Sequence, residues 1–245
     1  MQESINPTHG PTASSNTGTA LLAGAALIGG AALLAQPKAA HALSPAVTYA
    51  QIPGAGDFKP LNFALALEII EADLYVQAIK RMTTGGTNDL GQTITGLNTP
   101  ESDLFVKYLR EFGKVEQEHR DFLLKALGSN AISNSLLKGA KFDFGINTFD
   151  ASTLLDLLIN VEATGVMAYI GAVPQFAVRS KYLPTAAAIQ GTEARHTAAL
   201  IVVKNRLRGT TDPTAPQAND NGGRDKAANL DEVLAGVSKY IVLGK

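Results

Sequence analysis

The chain has 245 residues, 45% of them hydrophobic and 18% charged, with 23 Gly and 11 Pro, a composition that builds a packed core and excludes collagen-like or disordered polymers. A formal net charge of −1, from 21 basic and 22 acidic side chains, excludes the polycationic surface that phosphate backbones attract, so no nucleic acid is expected as a partner. The absence of cysteine excludes disulfides, thiolate metal ligands and a cysteine nucleophile; any metal must be held by nitrogen and oxygen.

Thr19 to Ala35 is an uncharged run dominated by Ala, Gly and Leu, followed by Lys38 and then Ala40-His41-Ala42. This reads as an export leader over 1–42 with an A-x-A cleavage site, and the run is short for a membrane span of about 20 residues. An exported protein, periplasmic or extracellular, is expected, with membrane association only if the leader is retained. No Lys or Arg precedes Lys38, so the export route stays open. The remaining length, about 200 residues, suits one domain. Residues 43–58 form an N-terminal extension that includes the Pro/Gly-rich Ile52-Pro53-Gly54-Ala55-Gly56.

Apolar residues then recur at helical spacing through Leu61, Leu65, Ala72, Tyr75 and Ile79, which predicts a first helix from about Lys59 to Met82. Thr83 to Asn98 is rich in Gly, Thr and Asn and reads as a loop. Thr99-Pro100-Glu101 supplies a start signal for a second helix, from about Pro100 to Leu127. Ser129 to Thr148 has little periodicity and predicts a long crossover, with room for a short helix at Ser133 to Leu137. Asp150 or Ser152 caps a third helix running to about Arg179 with a kink at Pro174, and Pro184 opens a fourth, running to about Leu207 and stopped by Gly209. Residues 209–226 read as a flexible linker, and 227–245 as a C-terminal unit with an amphipathic helix from about Ala227 to Leu243. No stretch carries a β-hairpin signature. The fold class is all-α: a four-helix bundle over 59–208 with a long connection between its second and third helices, plus a C-terminal helix.

The expected mature domain contains two histidines, His119 and His196, and each follows a glutamate by three residues, Glu116 and Glu193. By chance a given histidine gains such a partner in roughly 4% of cases, and both together in well under 1%. Three residues along a helix leave the two side chains on one face, able to grasp one ion. That face is otherwise apolar: Phe105, Leu109, Phe112 and Leu123 accompany the first pair, and Ile189, Leu200 and Val203 the second. The first and third helices carry a complementary feature, a glutamate two turns before a tyrosine: Glu68 with Tyr75, and Glu162 with Tyr169. These too lie among apolar neighbours.

Four ionised glutamates in an apolar interior would each cost several kcal/mol in desolvation and would repel one another. No lysine or arginine lies on these stripes, whereas two divalent cations would balance the four charges and leave neutral imidazoles as further ligands. Mixed oxygen and nitrogen donors suit Fe or Mn, with Zn the redox-inert option. Glu71, one turn after Glu68, competes with it as a ligand, whereas Glu118 falls off the stripe and is expected in solvent. Tyr75 and Tyr169 are candidate catalytic residues, through hydrogen bonding to the ligands or electron transfer; plain packing is the competing reading. Gly165 and Gly171 either permit close helix approach or are merely tolerated.

A glutamate from each of two helices plus Glu-x-x-His from each of the other two resembles the dinuclear iron or manganese site of ferritin-like bundles. The segments Asn62-Phe63-Ala64-Leu65-Ala66-Leu67-Glu68, Val115-Glu116-Gln117-Glu118-His119, Val161-Glu162-Ala163-Thr164-Gly165-Val166 and Glu193-Ala194-Arg195-His196 look like the ferritin-like domain family that includes desiccation-related and stress-induced proteins. The likeness covers about Lys59 to Arg208. It implies Glu68, Glu116, His119, Glu162, Glu193 and His196 as metal ligands, with Glu116 and Glu162 candidates for bridging.

The wider group includes ferroxidases, rubrerythrins and manganese catalases. A chain without cysteine cannot supply the additional cysteine-ligated iron site typical of rubrerythrins, and the expected leader and the long first loop do not suggest a storage-cage subunit. The resemblance therefore implies an exported dinuclear Fe or Mn protein acting on peroxide or dioxygen in oxidative or desiccation stress, catalase-like or ferroxidase-like. The alternatives are a non-catalytic stress protein whose metal staples the bundle, and a substrate-oxidising dinuclear iron enzyme. A homo-oligomer is compatible with either.

Overall fold

The computed structural model describes residues 47–243; the expected export leader lies outside them. Phe58–Met82 forms the first helix, α1. Its carboxyl end is finished by the following loop, where the backbone N–H groups of Leu97, Asn98 and Thr99 donate to the carbonyls of Arg81, Thr83 and Met82. Thr99 is thereby committed to capping α1, and α2 (Leu104–Leu127) begins later than its Thr-Pro signal suggests, with the Asp103 side chain accepting from Phe105 N at 2.8 Å.

The loop itself contains a β-hairpin that the sequence pattern did not predict: β1 (Gly85–Thr87) pairs antiparallel with β2 (Thr93–Thr95). Its strands are three residues long and mostly polar, so they carry none of the alternation that marks a strand. Their stability comes from the turn, where Asn88 Oδ1 accepts from the backbone of Leu90 and Gln92.

The crossover after α2 runs along α1 from its first turns to its last, held by three buried polar side chains. Asn62 donates to Asn130 O and accepts from Ile132 N, Gln77 donates to Phe142 O, and Arg81 donates to Phe149 O. Each satisfies backbone groups that a buried irregular segment cannot pair within itself. A 3-10 turn at Ile132–Asn134 replaces the short helix expected at 133–137. A two-residue strand, β3 (Lys141–Phe142), follows.

Asp150 caps α3 (Ala151–Ala172), its side chain accepting from Thr153 N at 2.7 Å. The expected extension to Arg179 with a kink does not occur. The helix stops before Pro174, which has no N–H to donate and whose ring would crowd the carbonyl four residues back, and a single 3-10 turn (Val173–Gln175) follows. Pro184 lies in the first turn of α4 (Leu183–Arg208), and Gly209 closes that helix in the left-handed conformation, φ 66°. Arg208 reaches back to Ser152 and Asp156 at the start of α3, which fixes α3 and α4 as an antiparallel pair.

The final helix, α5, spans only Leu230–Ser238, shorter than its predicted extent, because the chain next forms β4 (Ile241–Val242), paired antiparallel with β3. The segment before α5 lies directly on α3: Ala228 N donates to Met167 O, and a Cβ at Gly171 would stand 2.3 Å from Ala228 O. Gly171 thus permits a close backbone approach, although the partner is this segment rather than another bundle helix. Among the described residues one segment, Ala151–Gln175, is long and apolar enough by composition to cross a membrane. It packs on α4 and carries Glu162 into the bundle interior.

Candidate metal centre

All six residues singled out by spacing meet in the interior. Ligand atoms of Glu68, Glu116, His119 and Glu193 lie within 4.8 Å of one another, and so do those of Glu116, Glu162, Glu193 and His196. Each group draws on one lone-glutamate helix and both Glu-x-x-His helices. Glu116 and Glu193 belong to both groups. This corrects the expected bridging pair: Glu162 serves one group only, and the second shared carboxylate is Glu193. The four glutamates are 0% exposed, and His196 is 4% exposed. Glu118 is exposed, in keeping with its place off the stripe.

His119 Nδ1 stands 3.4 Å from Glu68, 3.1 Å from Glu116 and 3.3 Å from Glu193. His196 Nδ1 is 2.7 Å from Glu116 Oε1 and 3.3 Å from Glu162 Oε2. Phe112 stacks on the His196 ring, centroids 4.0 Å apart, and orients it. The sequence placed Phe112 on the core stripe without hinting at this role, since stripe membership does not say which neighbour a side chain meets.

The tyrosines cross over. Tyr169 on α3 donates to Glu68 on α1 at 2.5 Å, and Tyr75 on α1 donates to Glu162 on α3. The helices run antiparallel with Glu68 opposite Tyr169 and Tyr75 opposite Glu162, so one two-turn spacing read twice produces an approximate two-fold arrangement. Each tyrosine fixes one oxygen of a carboxylate whose other oxygen faces the ligand cluster. Burial, followed by the adjoining carboxylate charge, pushes both phenols well above their ordinary range, so they stay donors.

The approximate symmetry fails at one place. Three residues after Glu68 stands Glu71, and three after Glu162 stands Gly165. Glu71 is 3% exposed yet belongs to neither ligand group. A Cβ at Gly165 would lie 3.1 Å from Glu193 Oε2 and 3.2 Å from Glu71 Oε1, so glycine leaves room there for two carboxylates.

The donor set fits cations better than it satisfies itself. Glu68 Oε2, Glu116 Oε1, Glu162 Oε2, both oxygens of Glu193 and Nδ1 of His196 are buried without a hydrogen-bond partner; the close approach of His196 to Glu116 lacks hydrogen-bond alignment. Orphaned acceptors at this density are the expected mark of a site for ions. Left to the chain's own groups, the cluster balances charge with protons. Burial lifts Glu68 to about 7 despite His119. Burial works against charge on His119 and His196 too, but the carboxylates close to each ring, Glu116 with Glu68 at His119 and Glu116 with Glu162 at His196, outweigh it and raise them to about 10 and about 9. The same imidazoles overcome the burial of Glu116 and lower it to about 2.

Since ligating imidazoles are neutral, metal loading at pH 7 is expected to release about two or more protons per chain, with apparent affinity falling between pH 8 and 6. Titrating Zn²⁺ into lightly buffered metal-free protein with a pH indicator measures this. Loading without proton release would mean that the imidazoles are not the ligands.

A family model described as ferritin-like domain matches residues 56–205, which span α1 to all but the last turn of α4. No curated protein and no solved structure matches the chain.

Proposed function

The chain belongs to the ferritin-like domain family, and from that premise we propose that it is an exported dinuclear Fe or Mn protein that acts on peroxide or dioxygen in oxidative or desiccation stress. The observation that supports this reading is the sharing of Glu116 and Glu193 between two adjoining groups of buried ligands, an arrangement suited to two ions a few Å apart. Glu68 and His119 would complete one half of the site, Glu162 and His196 the other. Two redox-active ions held there would supply electron exchange with a small oxidant.

The chain's own residues set the conditions for that exchange. Tyr75 and Tyr169 hold the terminal carboxylates in place, the apolar faces of the four helices exclude bulk water, and Phe112 keeps His196 oriented. The export and stress parts of the reading draw on the leader at 1–42 and on the resemblance of the four helix segments.

Elemental analysis of protein from its native source, with turnover assays on the loaded protein, tests the proposal. Near two Mn per chain with oxygen release from peroxide supports the catalase-like form, and near two Fe with ferrous oxidation the ferroxidase-like form. Loaded protein that does neither overturns it and favours a metal that only staples the bundle.

A further inference from the structure

A narrow cleft between α1, α3 and α5 runs towards the ligand cluster. Thr153, Leu157, Asn160 and Thr164 line it from one face of α3, three or four residues apart along about 16 Å of helix, and Val233 and Val237 of α5 form another wall. Thr153 is exposed and Asn160 and Thr164 are half-buried, so the cleft meets solvent on this side. Its cavity is about 40 Å³, far below the roughly 300–1,000 Å³ of sites for organic ligands. One water needs roughly 10–15 Å³, so the space suits a short file of water-sized molecules. Threonine hydroxyls, the Asn160 amide and Tyr240 supply such molecules with hydrogen-bonding groups among the apolar side chains.

Glu71 and Gly165 also line the cleft, and they join it to the site. Glu71 Oε2 is buried without a partner, an unused acceptor for a molecule that carries O–H groups. A Cβ at Gly165 would lie 3.1 Å from Glu193 Oε2, so at this point only the absence of a side chain keeps the cleft next to the carboxylate that both ligand groups share. An anion would meet Glu71 and Glu193 together, whereas a small neutral donor can reach them. We infer that this cleft is the entry passage by which hydrogen peroxide reaches the dinuclear centre, and that its width excludes organic hydroperoxides. The inference rests on the peroxide reading above and adds to it the route and the size of the substrate.

Two measurements on the full chain test it. In protein loaded with Zn²⁺, dissolved dioxygen, a neutral paramagnetic probe, is expected to speed methyl relaxation at Val233 and Val237 well beyond that at Leu154 and Leu158, which are 0% exposed and do not line the cleft. In protein loaded with Fe²⁺, stopped-flow oxidation by hydrogen peroxide should outpace that by tert-butyl hydroperoxide by at least about tenfold. Val233→Phe, which narrows the passage, should slow the reaction with hydrogen peroxide. Val237→Ala, which widens it, should speed the reaction with tert-butyl hydroperoxide, a gain that misfolding cannot produce. Equal rates for the two peroxides, or rates indifferent to both substitutions, would overturn the inference and place entry elsewhere, as past the 12% exposed side chain of His119, while leaving the metal reading intact. If neither peroxide reacts, the peroxide reading fails and the entry inference with it; the relaxation measurement then shows whether the passage itself is open. Relaxation at Val233 and Val237 no faster than at Leu154 and Leu158 overturns the passage whatever the peroxides do.

Discussion

Glu193→Gln weakens both metal-binding steps by at least about tenfold each, whereas Glu68→Gln weakens only one. The difference follows from membership: Glu193 contributes ligand atoms to both groups and Glu68 to one. The amide replacement preserves size and leaves one acceptor oxygen, so the core stays filled while a negative charge and one donor disappear. Glu116→Gln should behave like Glu193→Gln, and Glu162→Gln like Glu68→Gln in the opposite half. Competition against a calibrated chelator, resolving two equivalents, reads the pattern directly. If Glu193→Gln spares one step completely, the two ligand groups do not share it, and the dinuclear reading falls with that result.

Removing the metal is expected to lower the melting temperature by roughly 10–20 °C near neutral pH. Each ion present at about a hundred times its dissociation constant adds about 2.7 kcal/mol to the folded state, and one kcal/mol moves the melting point of a domain this size by about 2–4 °C. The sign of the pH dependence separates the two forms. In metal-free protein, His119 and His196 are raised to about 10 and about 9 by their carboxylate partners, against the opposing effect of burial. Their stabilisation is fully present below an unfolded value near 6.5 and is lost as pH rises through the folded values.

Glu68, raised to about 7 chiefly by burial, acts in the same direction, its contribution complete below about 4.5 and lost through 7. Metal-free protein therefore loses stability from mildly acidic pH towards pH 10. Loaded protein gains stability over the lower part of that range, because protons no longer compete for the ligands. Melting curves with and without chelator at pH 5.5, 7 and 8.5 check both slopes; parallel slopes would show that the cluster takes up no metal.

Much of the ligand set is legible in the amino-acid sequence because each member announces itself locally. A three-residue spacing puts Glu116 with His119 and Glu193 with His196 on shared helix faces, and the surrounding leucines and phenylalanines show which way those faces point. The same logic finds Glu68, Glu162 and the two tyrosines. Glu71 satisfies the periodicity almost as well as Glu68, and nothing in a one-dimensional pattern can rank them, since the deciding fact is which atoms face the other three helices. Helix ends are less legible: Thr99-Pro100 carries a helix-start signal, yet its backbone is engaged in closing α1, and Pro174 ends α3 rather than bending it.

The sequence by itself determined the helical class, the four inward faces and the chemical identity of the donors, because side-chain type and helical period are local properties. Only the tertiary structure decided that Glu193 rather than Glu162 joins Glu116 as a shared carboxylate, that each tyrosine serves the glutamate of the opposite helix, and that α5 walls a cleft ending at Glu71. These are relations between segments as many as 166 residues apart, from Glu71 to Val237. They are set by how antiparallel helices fall into register once their apolar faces are buried together, and no spacing within a single helix encodes that register.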